Sequence, residues 1–270
     1  MGERVVRRWQ DKWALVTGAS SGIGRALATE LAAGGAHLVL VARRRNRLTE
    51  LATTLASRHN IRTKICAIDL AEPAAAEEIF AFTQEKGIAI ELLVNNAGFG
   101  AYGEFSRIEL QRQLAMVQVN IAAVVHLTHL YLQPMIERRS GDVLILSSTA
   151  AFQAVPYMTT YAATKAFDLL FAEALAEEVA QYGIGVCALC PGSTTSEFHE
   201  VAKSPKRAFR REQTAETVAH KGLFALACGR SYVISGLGNY LSTQTERLAP
   251  RRFVTRMAAK MFRPKQGESV

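Results

Sequence analysis

Hydrophobic and polar positions follow two alternating patterns along the chain. Short runs that are apolar throughout, such as Leu38-Val39-Leu40-Val41, are separated by longer segments in which apolar residues recur every three or four positions. The first pattern is typical of parallel strands buried on both faces, and the second is typical of amphipathic helices. The apolar runs predict seven strands, at residues 13–17, 37–42, 62–68, 91–95, 142–147, 185–190 and 232–235.

Helical patterns fill the intervals between these strands. They predict helices over residues 23–33, 45–58, 74–85, 107–138, 157–181 and 214–228. Seven strands interleaved with helices predict an α/β protein with a doubly wound, seven-stranded parallel sheet and helices on both faces, a Rossmann fold. Because neither a repeat nor a linker interrupts the pattern, we expect a single domain over residues 1–236, followed by a basic helical extension over residues 237–270.

Length and composition narrow the class of protein. The chain has 270 residues, 49% of them hydrophobic, which is too apolar for a disordered chain and sufficient for a large core. Its four cysteines are irregularly spaced, which favours a reducing compartment over a disulfide scaffold. The longest apolar stretch, residues 121–136, is interrupted by His126, His129 and Gln133 and is shorter than a typical membrane span. With no secretory signal visible at the N-terminus, we expect a soluble, cytoplasmic protein.

The formal net charge of +8 raises the question of a polyanionic partner. Residues 246–270 hold seven cations and two anions, so +5 of the charge belongs to the tail. Neither an aromatic platform nor a recognition motif accompanies it, and we expect no nucleic-acid partner. Leu248, Phe253, Met257 and Met261 form an approximate apolar stripe in this tail. Such a helix can lie on an anionic membrane surface, or it can dock on the domain or cover a substrate-binding mouth, the interpretation that we favour.

A glycine-rich turn follows the first predicted strand directly. It reads Thr17-Gly18-Ala19-Ser20-Ser21-Gly22-Ile23-Gly24, and a helical pattern begins at once. Glycines at this place let the backbone approach a pyrophosphate, whose charge the N–H groups at the helix N-terminus stabilise. The spacing is GxxxGxG, and tight packing without any ligand is the competing interpretation of such a turn.

Tyr161 and Lys165 are candidate catalytic residues. Four positions apart in a helical pattern, they lie on one helix face, where the ammonium lowers the pKa of the phenol from about 10 toward that of a useful acid or base. A surface tyrosine above a lysine stem is the alternative. The position of Ser148 favours the catalytic interpretation over this alternative. Ligands bind at the carboxyl ends of strands in such sheets, and a hydroxyl there can hold a carbonyl oxygen.

Together these motifs resemble the short-chain dehydrogenase/reductase superfamily. The resemblance extends to Gly236 and rests on Thr17–Gly24, Asn95-Asn96-Ala97-Gly98, Asn120, Ser148, Tyr161 with Lys165, and Pro191-Gly192, in the family's order and spacing. It implies hydride transfer between a nicotinamide and a carbonyl or secondary alcohol. Tyr161 would protonate the oxygen that Ser148 orients, Lys165 would bind the nicotinamide ribose, and Asn120 would hold a water in the proton relay. Family spacing selects Ser148 over the neighbouring Ser147.

The end of the second predicted strand indicates the cofactor. NAD-dependent relatives usually have Asp at the position of Arg43, whereas guanidinium groups here, at Arg43 and Arg44, favour the 2′-phosphate of NADP(H). Cations are poorly placed at a helix N-terminus, so a phosphate partner would explain them. The residues expected to bind NADP(H) are Gly18, Ser20, Ser21, Gly22, Ile23, Gly24, Arg43, Arg44, Asp69, Leu70, Asn95, Ala97, Gly98, Tyr161, Lys165, Pro191, Gly192, Thr194 and Ser196.

Aromatic residues follow three of the predicted cofactor segments. The predicted substrate-binding residues are Phe99, Tyr102, Phe152, Val155, Tyr157 and Phe198, with Phe209 as a further candidate. Such a lining favours a bulky apolar ketone, for example a ketoacyl, sterol-like or aryl compound, unless these rings pack a lid and a dimer face instead. No metal site is expected: Cys187 and Cys190 point to opposite faces of a strand, and His126 and His129 are interpreted as helix-face histidines.

Three further expectations concern partners and competing functions. The resemblance implies a homodimer or a tetramer that is formed through the helices at 107–138 and 157–181, and we favour the dimer because the tail could block a tetramer interface. A catalytically silent NADP-binding sensor is the rival function, but such proteins typically lack the tyrosine or the lysine that this chain retains. A lipid ketone or ketoacyl reductase associated with a membrane surface through the tail is the other alternative.

Overall fold

One parallel sheet of seven strands forms the centre of the protein, in a computed structural model that describes residues 7–204, 212–246 and 248–264. The strand order is β3-β2-β1-β4-β5-β6-β7, and every pairing is parallel. The predicted doubly wound sheet is therefore confirmed. The strands are β1 (Trp13–Thr17), β2 (His37–Ala42), β3 (Thr63–Ala67), β4 (Ile90–Asn95), β5 (Gly141–Leu146), β6 (Ile184–Cys190) and β7 (Tyr232–Ile234).

Helices cover both faces of the sheet because the strands bury apolar side chains on both. The helices are α1 (Gly22–Ala33), α2 (Arg45–His59), α3 (Ala75–Glu85), α4 (Leu110–Val117), α5 (Ala123–Arg138), α6 (Thr159–Val179), α7 (Phe198–Val201), α8 (Ala215–Ala227), α9 (Leu237–Glu246) and α10 (Arg251–Phe262). Leu38 and Leu40 belong to the core under α1, α2 and α8, and Val39 and Val41 belong to the core under α3, α5 and α6. This alternation follows from the two-residue period of a strand.

The strand order reverses at β1, which pairs with β2 on one side and β4 on the other. The loops after β1 and β4 therefore meet at the carboxyl edge of the sheet. Thr17 joins them: its hydroxyl accepts hydrogen bonds from the backbone N–H groups of Asn96 and Ala97, both at 2.9 Å. A crevice at such a reversal is the usual ligand site of an open α/β sheet.

The helix predicted over residues 107–138 is divided in the structure. A 3-10 turn at Phe105–Arg107 precedes α4, and a π-helical turn at Gln118–Ala122 separates α4 from α5. Single π turns inside helices are frequent at functional sites, and this one contains Asn120. The short helix α7 was not predicted, since four residues are too few to show a helical period.

Taken together, α4, the π-helical turn and α5 form a helical stretch, Leu110–Arg138, that is long and apolar enough to cross a membrane by length and mean hydropathy, which is 1.4. From the sequence we expected no such segment, because its longest apolar run is interrupted by polar residues. Within the fold, 44% of the most apolar part of this stretch is buried, and α5 packs on α3 and β4. Its apolar character therefore contributes to the core.

The C-terminal extension folds back over the carboxyl edge of the sheet. Ala258 on α10 is buried, and the Tyr102 hydroxyl donates a hydrogen bond of 2.9 Å to the backbone carbonyl of Phe262. The predicted apolar stripe does not face the domain core, because α10 turns Val254, Ala258 and Phe262 inward instead. The stripe residues are exposed, Leu248 by 88%, Phe253 by 59%, Met257 by 48% and Met261 by 53%.

Candidate active site

A cavity of about 1020 Å³ opens at the carboxyl edge, where the strand order reverses. It begins at the glycine-rich turn, passes the ends of β4, β5 and β6, and ends against α9 and α10. Most residues predicted to bind cofactor line this one cavity: Gly18, Ser20, Ser21, Gly22, Ile23, Gly24, Arg43, Arg44, Asp69, Leu70, Ala97, Gly98, Tyr161, Lys165, Pro191, Gly192, Thr194 and Ser196.

The glycine-rich turn has the close geometry that a pyrophosphate requires. Gly18 and Gly22 have φ of +67° and +53°, a region that side chains rarely adopt. A Cβ atom on Gly24 would lie 2.4 Å from the Gly18 carbonyl oxygen, so only glycine fits. Ser21 precedes α1 without capping it through its side chain. The first N–H groups of α1 are therefore positioned for an anion.

Two guanidinium groups lie beside this turn. Arg44 donates hydrogen bonds to the Ser20 hydroxyl at 3.0 Å and to the Ser21 hydroxyl at 2.9 Å. The more exposed Arg43 lies 3.6 Å from the Asp69 carboxylate, at the predicted adenine contact. Hydroxyl and guanidinium donors around one point are the groups that bind a ribose 2′-phosphate. Together with the glycine turn, these residues fit NADP(H).

Glu197 is a further charged residue of this region, and it was not predicted from the sequence. Its carboxylate pairs with Arg47 and with Arg44, at 2.5 and 2.9 Å. Hydrogen bonds from Arg47 and Arg44 hold the pKa of Glu197 below its usual value, so the group is an anion near neutral pH. No local pattern could have revealed this pairing, because 153 positions separate Glu197 from Arg44.

Ser148, Tyr161 and Lys165 meet on one wall of the cavity. Ser148 lies two residues after the end of β5, at the start of a 3-10 turn. Its hydroxyl oxygen accepts a hydrogen bond of 3.1 Å from the backbone N–H of Ala150. The Tyr161 phenol lies near Ser148, and the Ser148 side chain lowers the pKa of that phenol. The Lys165 ammonium is buried and donates to the Leu146 carbonyl at 2.7 Å and to Asp168 at 2.9 Å.

The pKa of Tyr161 is raised above its ordinary value. Burial of the phenol is the largest cause, and it outweighs the lowering by the Lys165 charge and by the Ser148 hydrogen bond. The sequence-based prediction of a lowered pKa is wrong for the net direction, because it took account of the lysine and not of the burial of the phenol. A raised pKa keeps the phenol protonated near neutral pH, which is the state that donates a proton.

Ser147, the competing serine, has a structural role. Its side chain is buried, and its hydroxyl donates a hydrogen bond of 2.8 Å to the Lys165 backbone carbonyl. This bond ties the end of β5 to α6. Because the Ser147 hydroxyl is occupied in this way, the geometry favours Ser148 as the serine that contacts a substrate.

Asn120 lies behind the cavity wall rather than on it. Its side-chain oxygen accepts from the Phe99 N–H at 3.1 Å, and its amide donates to the Phe99 carbonyl and to the Thr164 hydroxyl, each at 3.0 Å. These bonds fix the segment after β4 against α6. Its predicted water-binding role stays a prediction. Asn95 is likewise buried away from the cavity, where its amide donates to Thr128 at 2.9 Å.

Half of the predicted substrate residues line the cavity. Phe99, Val155 and Phe198 do so, and the Phe198 ring lies 5.1 Å from the Tyr161 ring. Beside them, α10 supplies an apolar wall, which includes Phe253, Met257 and Met261 of the stripe that the favoured interpretation of the sequence placed on the domain or over a substrate-binding mouth. The residues of this wall are Phe253, Val254, Met257, Ala258, Met261 and Phe262.

Three other aromatic residues that were predicted to bind substrate, Tyr102, Phe152 and Tyr157, do not line the cavity. Tyr102 is buried and bonded to Phe262, as described above. Phe152 packs toward Tyr232 on β7, with ring centres 6.4 Å apart, because the 3-10 turn after Ser148 directs it there. Tyr157 has a φ of +67° and accepts a hydrogen bond from Arg263, so its ring supports the extension. Phe209 lies outside the described residues.

The side chains of the two motifs considered as metal sites, Cys187 with Cys190 and His126 with His129, are placed as follows. Cys187 and Cys190 are buried in β6, where burial raises the pKa of each thiol to about 12. His126 pairs with Glu77 at 3.0 Å, a carboxylate that the sequence analysis did not recognise beside it. Among the residues that the structure describes, three or more metal-ligating side chains are nowhere grouped together.

Comparisons with known proteins agree with this geometry. Residues 12–207 match the family model described as short chain dehydrogenase. The very-long-chain 3-oxoacyl-CoA reductase of Mus musculus is 34% identical over 196 residues, which span 71% of this chain and 62% of that protein, less than two thirds of its length. A solved 7beta-hydroxysteroid dehydrogenase has a TM-score of 0.85 and 26% identity over 94% of this chain and 99% of its own. A short-chain dehydrogenase from Sphingobium yanoikuyae in complex with NADPH has a TM-score of 0.81 and 26% identity, over 96% and 98% of the two chains.

Proposed function

The chain belongs to the short-chain dehydrogenase family, and we propose on that basis that it is an NADP(H)-dependent oxidoreductase. It would transfer a hydride between the nicotinamide and a carbonyl or secondary alcohol of a bulky apolar substrate. One observation carries the proposal: Ser148, Tyr161 and Lys165 converge on a cavity whose other end holds Arg43 and Arg44.

The mechanism follows from what each side chain can do. The cofactor, when bound, supplies or accepts the hydride. In the reductive direction the Ser148 hydroxyl orients the carbonyl oxygen, and Tyr161 donates its phenolic proton to that oxygen. The Lys165 ammonium stabilises the phenolate that remains, and it also offers a hydrogen bond to a ribose hydroxyl of the cofactor. The raised pKa of Tyr161 keeps the phenol protonated near neutral pH, and the phenol is the form that donates the proton in reduction.

The preference for NADP(H) rests on the residues that would surround the 2′-phosphate of the cofactor's ribose. Arg44 is held by two serine hydroxyls of the glycine-rich turn, and Arg43 lies at the end of β2. A guanidinium is well matched to a phosphate, whereas NAD(H) presents only a hydroxyl there. The relative from Sphingobium yanoikuyae, which was solved with NADPH, supports the same assignment.

The substrate class follows from the apolar lining of the cavity. Phe99, Val155 and Phe198 line the same cavity as the apolar residues of α10, which favours a large apolar ketone over a small charged one. Two relatives support this class, since their names specify 3-oxoacyl-CoA and hydroxysteroid activities. NADPH oxidation measured over ketoacyl thioesters, ketosteroids, aryl ketones and small aldehydes tests the proposal. Turnover of the small aldehydes alone would contradict it.

We also propose a cytoplasmic homodimer. The faces of α4, α5 and α6 leave large apolar side chains exposed, which a second copy of the chain would cover. These side chains are Leu110, Leu114, Val117, Val125 and Leu170. Light scattering of the purified full chain tests the dimer, and a monomeric mass would contradict it. Fractionation of cells that produce the chain tests its location.

A second candidate is reduction of lipid ketones at a membrane surface. Its supporting observation is α10, on which the exposed Phe253 and Met257 lie beside Arg252 and Arg256, at the mouth of the cavity. Basic and apolar side chains side by side are what an anionic bilayer attracts. Sedimentation with phosphatidylserine vesicles, compared with phosphatidylcholine vesicles, tests it. Equal amounts in both pellets would contradict it.

A further inference from the structure

Asn239 lies on α9, in the C-terminal extension, and its side-chain amide occupies a slot between two glycines. A Cβ atom on Gly192 would lie 2.4 Å from Nδ2 of Asn239, and one on Gly236 would lie 3.1 Å from the same atom. Only glycine therefore fits at residue 192 while the amide holds this place. Gly236 also has a φ of +92°, at the turn from β7 into α9. The two glycines leave the space that the amide fills.

The amide has one orientation in this slot. Its nitrogen donates a hydrogen bond of 2.6 Å to the backbone carbonyl of Ser235. Because a carbonyl only accepts hydrogen bonds, the nitrogen has to face it, and the oxygen Oδ1 points elsewhere. Asn239 belongs to the cavity lining, and no hydrogen bond to its Oδ1 is found among the residues that the structure describes. Oδ1 is therefore the atom that can accept a hydrogen bond from a ligand.

Asn239 is close to the end of the cavity that holds Ser148. The backbone N–H of Thr149 donates a hydrogen bond of 2.9 Å to the carbonyl of Pro191, the residue before Gly192. This bond joins the loops that follow β5 and β6. In addition, α9 packs on the 3-10 turn that begins at Thr149. The amide is therefore next to the loops that carry the serine proposed to orient the substrate.

The proposed reaction requires the nicotinamide at this end of the cavity. Its carbon C4 exchanges the hydride, so C4 has to lie beside the carbonyl that Ser148 and Tyr161 hold. The carboxamide is attached to C3, the neighbouring ring carbon, and it lies next to the reacting centre for that reason. A carboxamide has an NH2 donor as well as a carbonyl, and the donor needs an acceptor from the protein.

Thr194 is the competing acceptor, because it also lines the cavity after Gly192. Its hydroxyl is engaged with the Gly192 carbonyl, to which it donates a hydrogen bond of 3.1 Å. The Oδ1 atom of Asn239 has no such bond among the described residues, and an amide oxygen acts only as an acceptor. The donor and acceptor inventory of this wall thus favours Asn239.

We propose that Asn239 is a cofactor-binding residue, whose Oδ1 accepts a hydrogen bond from the carboxamide NH2 of the nicotinamide and so holds the ring beside Tyr161. The inference rests on the proposed function, because it requires NADP(H) in this cavity. It extends the cofactor site into α9, beyond Gly236, where the resemblance of the sequence to the family ends. The C-terminal extension then serves the cofactor through α9 and the substrate through α10.

The test compares three ligands by calorimetric titration of the full-length protein. They are NADP⁺, 2′-phospho-ADP-ribose, which lacks the nicotinamide, and the acetylpyridine analogue of NADP⁺, in which a methyl group replaces the carboxamide NH2. Asn239→Ala should bind NADP⁺ about five- to tenfold more weakly than the wild type does, the effect of one lost hydrogen bond. Its affinity for the other two ligands should stay within about twofold of the wild-type value, since neither presents the NH2 donor.

Three further variants complete the experiment. Ser242→Ala removes another polar side chain that lines the cavity from α9, and it should leave all three affinities unchanged. Thr194→Val removes the competing hydroxyl, and it should keep the preference for NADP⁺ over the acetylpyridine analogue. If Asn239→Ala does not fold, Asn239→Leu replaces it, because leucine fills the slot with a side chain of similar size and has no acceptor.

Each result has a separate meaning. Equal weakening of all three ligands in Asn239→Ala would show that the amide only supports the fold of the site, and unchanged NADP⁺ binding would show that Oδ1 is not used. Either result overturns the inference and leaves the proposed function intact. Loss of the preference for NADP⁺ in Thr194→Val alone would assign the acceptor to Thr194 and overturn it as well. A wild-type protein that binds neither NADP⁺ nor 2′-phospho-ADP-ribose would refute the proposed function instead.

Discussion

Arg44 and Glu197 form an ion pair across the cofactor end of the cavity, with Nη1 and Oε2 2.9 Å apart. The same guanidinium donates to the hydroxyls of Ser20 and Ser21 in the glycine-rich turn. Glu197 thus takes one side of the guanidinium that a 2′-phosphate would bind. The pair joins the cofactor site to the segment that precedes α7, whose Phe198 lies against Tyr161.

Replacing Arg44 with alanine should weaken NADPH binding by about 10- to 100-fold, the effect of losing a charge-assisted hydrogen bond. Binding of NADH, which lacks the 2′-phosphate, should change by less than about threefold. Fluorescence titration of both nucleotides measures the difference. Equal losses for the two would show that Arg44 supports the fold and does not read the phosphate.

Replacing Glu197 with glutamine should strengthen NADPH binding several-fold, because a charge that competes with the phosphate for Arg44 and Arg47 is removed. Glu212→Gln is the matched control, since this carboxylate bonds Ser193 and Thr195 of the same region at 3.3 Å. The titration used for Arg44 measures both variants. Weaker NADPH binding in Glu197→Gln alone would mean that the carboxylate positions the arginines for the phosphate.

The apolar wall on α10 predicts a substrate effect. Ala258→Asp puts a charge into the cavity lining and should raise KM for bulky ketones about 10-fold. The reason is that burying an unpaired polar group against an apolar substrate costs about 1 to 3 kcal/mol. Ala259→Asp, one position further and outside the lining, should have little effect on KM. Steady-state kinetics on one bulky ketone compare them. Equal KM values in the two variants would place the substrate away from α10.

A buried carboxylate in β5 predicts a pH-dependent stability change. Asp142 accepts hydrogen bonds from Arg8 and from the Trp9 indole, both at 2.9 Å. Arg8→Ala leaves a buried charge less well paired and should cost about 2 kcal/mol, less than a wholly buried pair because Arg8 is half exposed. Tm should fall by roughly 5 °C. Arg7→Ala, at an exposed neighbouring position, is the control.

The pH dependence of that loss has a definite sign. Burial raises the pKa of Asp142 above its ordinary value even beside Arg8. An acid with a raised folded-state pKa destabilises the fold as pH rises through that pKa, because the charged form is the costly one. The penalty of Arg8→Ala should therefore grow from pH 4 to pH 8, which differential scanning calorimetry measures. An equal loss at both pH values would contradict this assignment.

The sequence predicted the sheet for a physical reason, and most residues predicted to bind cofactor line one cavity. Central strands buried on both faces are almost wholly apolar, as β2 is at residues 37–42, whereas β3 at the sheet edge contains Thr63 and the exposed Lys64. The side chains proposed to be catalytic lie at fixed spacing on single elements, as Tyr161 and Lys165 do on α6. Asp168 was accessible to the same reasoning, because it lies three positions after Lys165 on the same helix face.

Other features depend on packing that no local pattern encodes. The π-helical turn that contains Asn120 interrupts a helical period that continues on either side of it. Tyr157 adopts a left-handed backbone, so a ring expected in the pocket supports α10 instead. The inward face of α10 carries the small Ala258 rather than the larger stripe residues, because the helix packs closely on the domain there.

The role of Tyr161 as the proton donor is the central claim, and one measurement tests it most directly: NADPH oxidation with a bulky ketone by the wild-type protein and by Tyr161→Phe. The variant should lose about 10²- to 10⁴-fold in kcat, the usual contribution of a general acid. Its Kd for NADPH should stay within about threefold of the wild-type value, since the phenol is not needed to hold the 2′-phosphate. A variant that reduces the ketone at nearly the wild-type rate would contradict the account.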